Sequence, residues 1–229
     1  MRRMMNMSDT PPSRAVEDFL KAVYSLQQKT TERVSTNALA EALNIAAPTV
    51  TDMARRMEEA GLLDYRKYHG MVLTDKGMAL ALRVLRRHRL LELYLVNELG
   101  YELHEVHHEA ENLEHAVSDR FIEAIAHKLD HPTLDPHGDP IPDVHGNITT
   151  RELVALNVLD LNTPALVSRF TAENDEMLQH ILNRNFRLGV AVCVTHRDPF
   201  EGPLTVMVDG DENIIGHAVA SHILVEVDS

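Results

Sequence analysis

STNALAEALNIAAPTVTDMARRMEEAGLLDYRKYHGMVL, residues 35–73, is the stretch that decides the fold. Ser35 reads as an N-cap, and the helix after it carries Leu39, Ala42 and Leu43 on one side before stopping at Asn44-Ile45. Pro48 opens the next helix, where an early N–H has no partner to lose, and Val50, Met53, Met57 and Ala60 line its back as far as Gly61. Leu63-Asp64-Tyr65-Arg66 and Met71-Val72-Leu73 then alternate in polarity around Tyr68-His69-Gly70, the pattern of a hairpin. Two helices joined by a short turn and followed by a hairpin make a winged helix.

Upstream, Val16, Phe19, Leu20, Val23 and Leu26 recur at three-and-four spacing, so Arg14 to Gln28 is expected to be an amphipathic helix. Residues 1–13, with the pair Pro11-Pro12, read as a disordered leader. Downstream, Thr74 caps a long helix that buries Met78, Leu82, Leu85, Leu90, Leu93 and Leu95, and one further helix is expected from His104 to Leu129. The four prolines between His131 and Pro142 forbid a helix and mark a connector. Short β-like runs follow at Glu152–Leu159, Leu166–Thr171, Val190–Thr195 and Leu204–Val208, with a helical interlude at Asp175–Leu182, which together suggest a small barrel. The expected organisation is a mainly α chain with a small β part: a winged-helix domain over 14–76, a helical domain over 77–130, a connector over 131–148 and a barrel-like domain over 149–229.

Composition limits the functions available. One cysteine, Cys193, rules out an internal disulfide framework and a multi-cysteine metal site, in keeping with a reducing cytosol. No stretch approaches the roughly 20 apolar residues of a membrane span, so a cytoplasmic protein with no membrane partner is expected. The net charge of −13 is divided unevenly. Residues 1–90 hold 15 Lys and Arg against 10 Asp and Glu, whereas residues 91–229 hold 7 against 25. The front half can therefore meet phosphate while the rear half offers ligands to cations.

On the second helix of the pair, Pro48, Thr49, Thr51, Asp52, Arg55 and Arg56 take outward positions, with Ser35 and Thr36 at the start of the helix before it. Hydroxyls and early helical N–H groups hold phosphates, arginines add salt-dependent affinity, and Arg66 and Lys67 on the wing reach the flanking backbone. Asp52 is the awkward member, because a carboxylate beside phosphate is unfavourable unless it accepts from a cytosine amine. Winged helices also serve as protein-binding modules; the hairpin and the charge division together favour double-stranded DNA.

A second constellation lies behind the wing. His88 and Glu92 are four apart, and His107, Glu111, Glu114 and His115 occupy i, i+4, i+7 and i+8, so each set returns to one side of its helix. Two such faces would gather imidazole nitrogens and carboxylate oxygens around one space. With no thiolate, that set suits Mn(II), Fe(II), Co(II), Ni(II), Zn(II) or Cd(II), and its carboxylates lean toward Mn(II). The alternative is a solvated helix face that happens to carry His and Glu. A Ser/His/Asp arrangement and a phosphate-cradling glycine loop are missing, so no enzyme is expected and a metallohydrolase ranks below a DNA-binding regulator. A winged-helix regulator that senses a small ligand instead of a metal remains open.

Glu17-Asp18-Phe19-Leu20, Ala47-Pro48-Thr49-Val50, Arg87-His88-Arg89-Leu90 with Glu92, Val106-His107-His108-Glu109-Ala110, Leu113-Glu114-His115 and Gly138-Asp139-Pro140-Ile141-Pro142 together resemble the diphtheria toxin repressor family over residues 14–229. The resemblance implies a metal-activated repressor of metal-uptake genes that acts as a homodimer on operator DNA, with an SH3-like C-terminal domain. It implies a primary metal site of Asp18, Glu111, Glu114 and His115 and an ancillary site of His88, Glu92 and His107. The ancillary site would be completed from the SH3-like domain by Glu173 and Glu176, placed through Phe170-Thr171-Ala172-Glu173. Asp18 stands where iron-responsive members carry methionine and Glu111 where they carry cysteine, which moves the implied preference toward manganese. Lys21 stands in place of an extra carboxylate of short manganese regulators, and Asp52 in place of the family's base-contacting glutamine.

Overall fold

The computed structural model describes residues 13–30, 32–172 and 174–227, so the expected leader, apart from Ser13, and the candidate ligand Glu173 lie outside the described residues. The chain divides into two compact units, one running to Arg87 and including Pro142–Asn147, the other made of His88–Ile141 and the residues from Ile148 onward.

In the first unit α1 (Arg14–Gln28), α2 (Thr36–Ala42) and α3 (Ala47–Glu59) are followed by the hairpin strands β1 (Leu63–Arg66) and β2 (Gly70–Leu73). The stripe read on α1 is its buried side, with Phe19, Leu20 and Val23 packed among Leu39, Val50 and Met57. Ser35 caps α2 as expected, its Oγ accepting from Ala38 N at 3.1 Å. α3 starts one residue earlier than the proline suggests, at Ala47, and Pro48 sits harmlessly in its first turn. Val34 exchanges two 2.9 Å backbone hydrogen bonds with Met71 and so adds a short edge to the hairpin. Gly70 is needed where these backbones meet: φ is +86°, and a Cβ would stand 2.4 Å from Val34 O.

The long helix α4 (Asp75–Leu99) crosses the division between the units. Beyond it, the single helix expected from His104 to Leu129 is instead two, α5 (Val106–Leu113) and α6 (Asp119–Lys128). Ser118 causes the break: its backbone is extended, and its Oγ accepts from Phe121 N at 3.3 Å to start α6 afresh. Leu90, Leu91, Val106, Ala110, Ile122 and Ile125 form the core of this helical part.

The C-terminal part is a six-stranded antiparallel sheet ordered β3-β8-β4-β5-β6-β7, from β3 (Val154–Ala155), β4 (Pro164–Phe170), β5 (Ala191–Arg197), β6 (Leu204–Val208), β7 (Asp211–Ile215) and β8 (Ile223–Val227). α7 (Asp175–Leu182) follows β4, and α8 (His217–Ala220) precedes β8. The run expected over Glu152–Leu159 keeps only two strand residues before a 3-10 turn at Leu156–Val158, while β7 and β8 are additions to the four expected runs. The connector is irregular as its prolines require, yet it is firmly seated on β4. Phe170 N donates to His137 O at 2.8 Å, and at Gly138, with φ +87°, a Cβ would lie 2.1 Å from Ser168 O.

Candidate metal centre and nucleic-acid interface

α4 and α5 bring His88, Glu92 and His107 together in the second unit, one ligand atom from each lying within 4.8 Å of the others. His88 Nε2 is 2.9 Å from Glu92 Oε1, His107 Nδ1 is 3.1 Å from the same oxygen, and the two ring nitrogens are 3.1 Å apart. Donors about 2.1 Å from an ion and at right angles to each other are separated by about 3 Å, so this triangle matches one face of an octahedral coordination shell. His88 Nδ1 lies 2.6 Å from Glu114 Oε2. An Nδ1–H donated to that buried carboxylate leaves Nε2 with its lone pair facing Glu92, the arrangement a ligating imidazole requires. The residues present therefore fit a divalent ion bound through nitrogen and oxygen.

Electrostatics inside the group point the same way. Burial pushes the Glu92 carboxyl up, but His88, with His107 and His137 behind it, outweighs burial and holds it well below the ordinary carboxylate range. Hydrogen bonds to Glu111 first and Glu92 second raise His107 to about 10. The metal-free group is thus an imidazolium–carboxylate cluster in which protons occupy positions that a cation would take.

Of the remaining expected ligands, Glu111, Glu114 and His115 belong to the same unit as this group and Asp18 to the other. Glu111 stands beside His107, Oε1 lying 3.5 Å from Nε2. Glu114 is fully buried in the turn after α5 and links two imidazoles, His88 through one oxygen and His115 through the other at 3.2 Å. Asp18 belongs to α1 in the first unit, where Arg14 Nε approaches it at 3.7 Å. Glu176 is exposed in the first turn of α7, and the triangle of donors forms without it; its neighbour Asp175 lies 4.0 Å from His108.

Two residues absent from the sequence reading also belong here. His137 Nε2, carried by the connector, comes to 3.9 Å from Glu92 Oε1, and burial lowers its basicity. Asp135, whose Oδ1 accepts from His137 N and Asp139 N at 2.8 and 2.9 Å, shapes the turn that delivers it. Burial, with Asp139 and Glu92 adding like charge, raises Asp135 to about 8. Arg89 reaches both acids, at 3.6 and 3.4 Å, so the residue after His88 anchors this turn. The D-P-H-G-D run was itself a signal, an Asx-type turn with glycine at the left-handed position.

On the first unit, Pro48, Thr49, Asp52, Arg55 and Arg56 of α3 are exposed, whereas Val50, Ala54 and Met57 face the core. Thr51 donates its hydroxyl to Ala47 O at 3.1 Å, and Asp52 lies 4.0 Å from Arg55. Ser35, Arg66 and Lys67 are exposed and Thr36 partly so. Among the described residues, no helix is long and apolar enough to cross a membrane.

Comparison with known proteins covers the same ground. The family model for the N-terminal DNA-binding domain of iron dependent repressors matches residues 13–71, that for their metal binding and dimerisation domain matches residues 74–143, and the FeoA domain model matches residues 154–227. The iron-dependent repressor IdeR of Mycobacterium tuberculosis is 32% identical over 221 residues, which cover 92% of this chain and 96% of the relative. The diphtheria toxin repressor of Corynebacterium diphtheriae is 29% identical over 208 residues, 86% of this chain and 89% of that protein. Among solved structures, a manganese-dependent transcriptional repressor in complex with manganese superimposes with a TM-score of 0.85 at 38% identity, covering 93% of this chain and 99% of that one. The manganese regulator SloR gives 0.73 at 33% identity, with coverages of 96% and 100%.

Proposed function

This chain belongs to the diphtheria toxin repressor family of metal-dependent transcriptional repressors, and from that premise we propose that Mn(II) is the ion that activates it. The observation that carries the choice is the donor triangle His88–Glu92–His107, made of nitrogen and oxygen at octahedral spacing with carboxylates close by. Hard oxygen donors and octahedral geometry favour manganese over ions that prefer thiolate or tetrahedral sites. The resemblance to manganese-dependent repressors supports the same reading.

In this proposal the protein is a cytoplasmic homodimer, not an enzyme, and it represses metal-uptake genes. One ion is held by His88, Glu92 and His107, with His137 facing the shared carboxylate and Glu173 and Glu176 as the outer candidates. A second is held by Asp18, Glu111, Glu114 and His115. A bound cation supplies positive charge where carboxylates would repel one another. Asp18 lies on the first helix of the DNA-binding unit, and Glu111, Glu114 and His115 lie on the other unit. Shared ligation would therefore restrict how the two units are arranged. In a symmetric dimer that restriction sets the separation of the two α3 helices, which must approach one turn of DNA, about 34 Å, or a multiple of it. Pro48, Thr49, Thr51, Asp52, Arg55 and Arg56 then meet the major groove, with Ser35 and Thr36 on adjoining phosphates.

The test is fluorescence anisotropy on a duplex from the chain's own upstream region, titrated with Mn(II), Fe(II) and Zn(II) against a chelator control. Binding that requires metal and responds to Mn(II) at the lowest free concentration is expected. Binding that ignores metal overturns the switch, and a stronger response to Fe(II) at matched free concentration overturns the choice of manganese.

A further inference from the structure

We propose that Tyr68, at the tip of the wing, is a DNA-contacting residue that lays its ring against the sugar–phosphate wall of the minor groove, outside the footprint of α3. This rests on the DNA-binding reading above and adds to it a residue outside the basic pair Arg66 and Lys67. Tyr68 is 90% exposed, and its backbone sits at φ +69°, a left-handed conformation that a bulky residue adopts only at a cost. An aromatic ring so exposed contributes almost nothing to the core, and the conformation would be easier for glycine. Stability of the unit does not account for it.

The surroundings of the ring identify its partner. Lys67 Nζ lies 4.8 Å from the ring centroid, so ammonium and ring form a single patch. Arg66, Lys67 and His69 are all exposed beside it, and the acid at the base of the wing, Asp64, is held by Arg33 at 3.0 Å and by Arg66 at 3.4 Å. What remains at the tip is cationic and aromatic, a combination that suits a polyanion with apolar sugar faces better than a purely apolar protein surface.

The wing is also stiff enough to place the ring. Arg33 binds the carboxylate and the carbonyl of Asp64 and reaches Gly70 O at 3.4 Å, and the paired Val34–Met71 hydrogen bonds close the base. A braced hairpin loses little freedom when its tip docks, so the contact energy of the ring is retained as affinity. Against deoxyribose the ring face sheds water while its hydroxyl remains able to donate to a phosphate oxygen.

The experiment measures binding of the metal-loaded full chain to two operator duplexes, one with flanking sequence and one trimmed to the bases spanned by α3. On the long duplex Tyr68→Ala is expected to bind about tenfold more weakly with an unchanged salt slope, as for loss of an aromatic contact. Lys67→Ala should instead make the slope shallower by about one. Tyr68→Gly should match the alanine variant in binding without lowering Tm, because glycine accepts the left-handed backbone. On the trimmed duplex Tyr68→Ala and the unsubstituted chain should bind alike. Equal binding by Tyr68→Ala and the unsubstituted chain on the long duplex overturns the proposal, as does an equal deficit on both duplexes. Failure of the unsubstituted chain to bind either duplex with metal present overturns the DNA-binding reading itself and is thereby told apart.

Discussion

The surface of α3 and the acid–histidine group handle charge in opposite ways. Arg55, Arg56 and Asp52 stand in water on a helix whose other side is apolar, so they cost the fold little and contribute little to it. His88, Glu92 and Glu114 are buried, and each is tolerated only because another of the group neutralises or hydrogen-bonds it. The exposed set is ready to meet a polyanion with no rearrangement. The buried set is a network of mutual dependence, in which removal of one member leaves the others uncompensated. Substitution should therefore act gradually on the first and steeply on the second.

The sharpest break is expected at His115. Its Nε2 lies 3.2 Å from a Glu114 oxygen whose partner oxygen holds His88, so His115→Ala removes a proposed ligand and disturbs the carboxylate that links His115 to His88. Metal-stimulated operator binding should fall by at least about a hundredfold, with the dimer still folded, because metal ligands and their hydrogen-bonding supports each carry one to two decades of affinity. Anisotropy with and without Mn(II), beside a circular-dichroism melt, checks this; retained stimulation would sink the primary-site assignment.

Much of this was legible in the sequence because it is written in local spacing. Ser35, Pro48 and Gly61 punctuate the first unit, and β6 falls on its expected residues because Leu204, Val206 and Val208 alternate. The α5–α6 break was hidden because Val106, Ala110, Leu113 and Val117 continue a helical period across it, and the capping preference of Ser118 outweighs that period. β7 was hidden by Asp211-Glu212-Asn213, polar residues that pair through backbone alone on the edge of the sheet. His137 was hidden differently: it lies 45 positions from Glu92, and only the docking of the Gly138 turn on β4 brings the two near each other. Helical spacing can show which residues share a face. It cannot show what a proline-rich segment delivers from outside.

A smaller step is expected from pH. The pKa of His107 lies above its ordinary value, so its proton is favoured in the folded, metal-free protein; that contribution to stability is present below about 6.5 and is lost as pH rises through about 10. A cation must displace this proton. Affinity at the His88–Glu92–His107 group should therefore rise with pH, by about tenfold per unit between pH 6 and 8 for one proton released. Calorimetry in buffers of different ionisation enthalpy counts that proton directly. A pH-independent affinity, or none released, would show that His107 does not ligate the ion.

The gentlest change belongs to α3. Arg55 is more than half exposed, and Asp52 beside it, at 4.0 Å, offsets part of its charge, so on this surface the arginine acts as one phosphate-directed cation among several. Arg55→Ala should weaken operator binding only several-fold, similarly across operator sequences, and make the dependence of log K on log salt shallower by about one. Asp52→Ala removes a carboxylate that opposes phosphate, so a backbone-facing Asp52 predicts equal or tighter binding on every sequence. If Asp52 instead accepts from a cytosine amine, the same substitution should cost about 1–3 kcal/mol at one base position and leave the salt slope unchanged. Measuring both variants on a set of operators with single base changes separates these outcomes. A sequence-dependent loss for Arg55→Ala would move that residue from the backbone to the bases, and the contrast between an exposed surface that tolerates change and a buried network that does not would have to be redrawn.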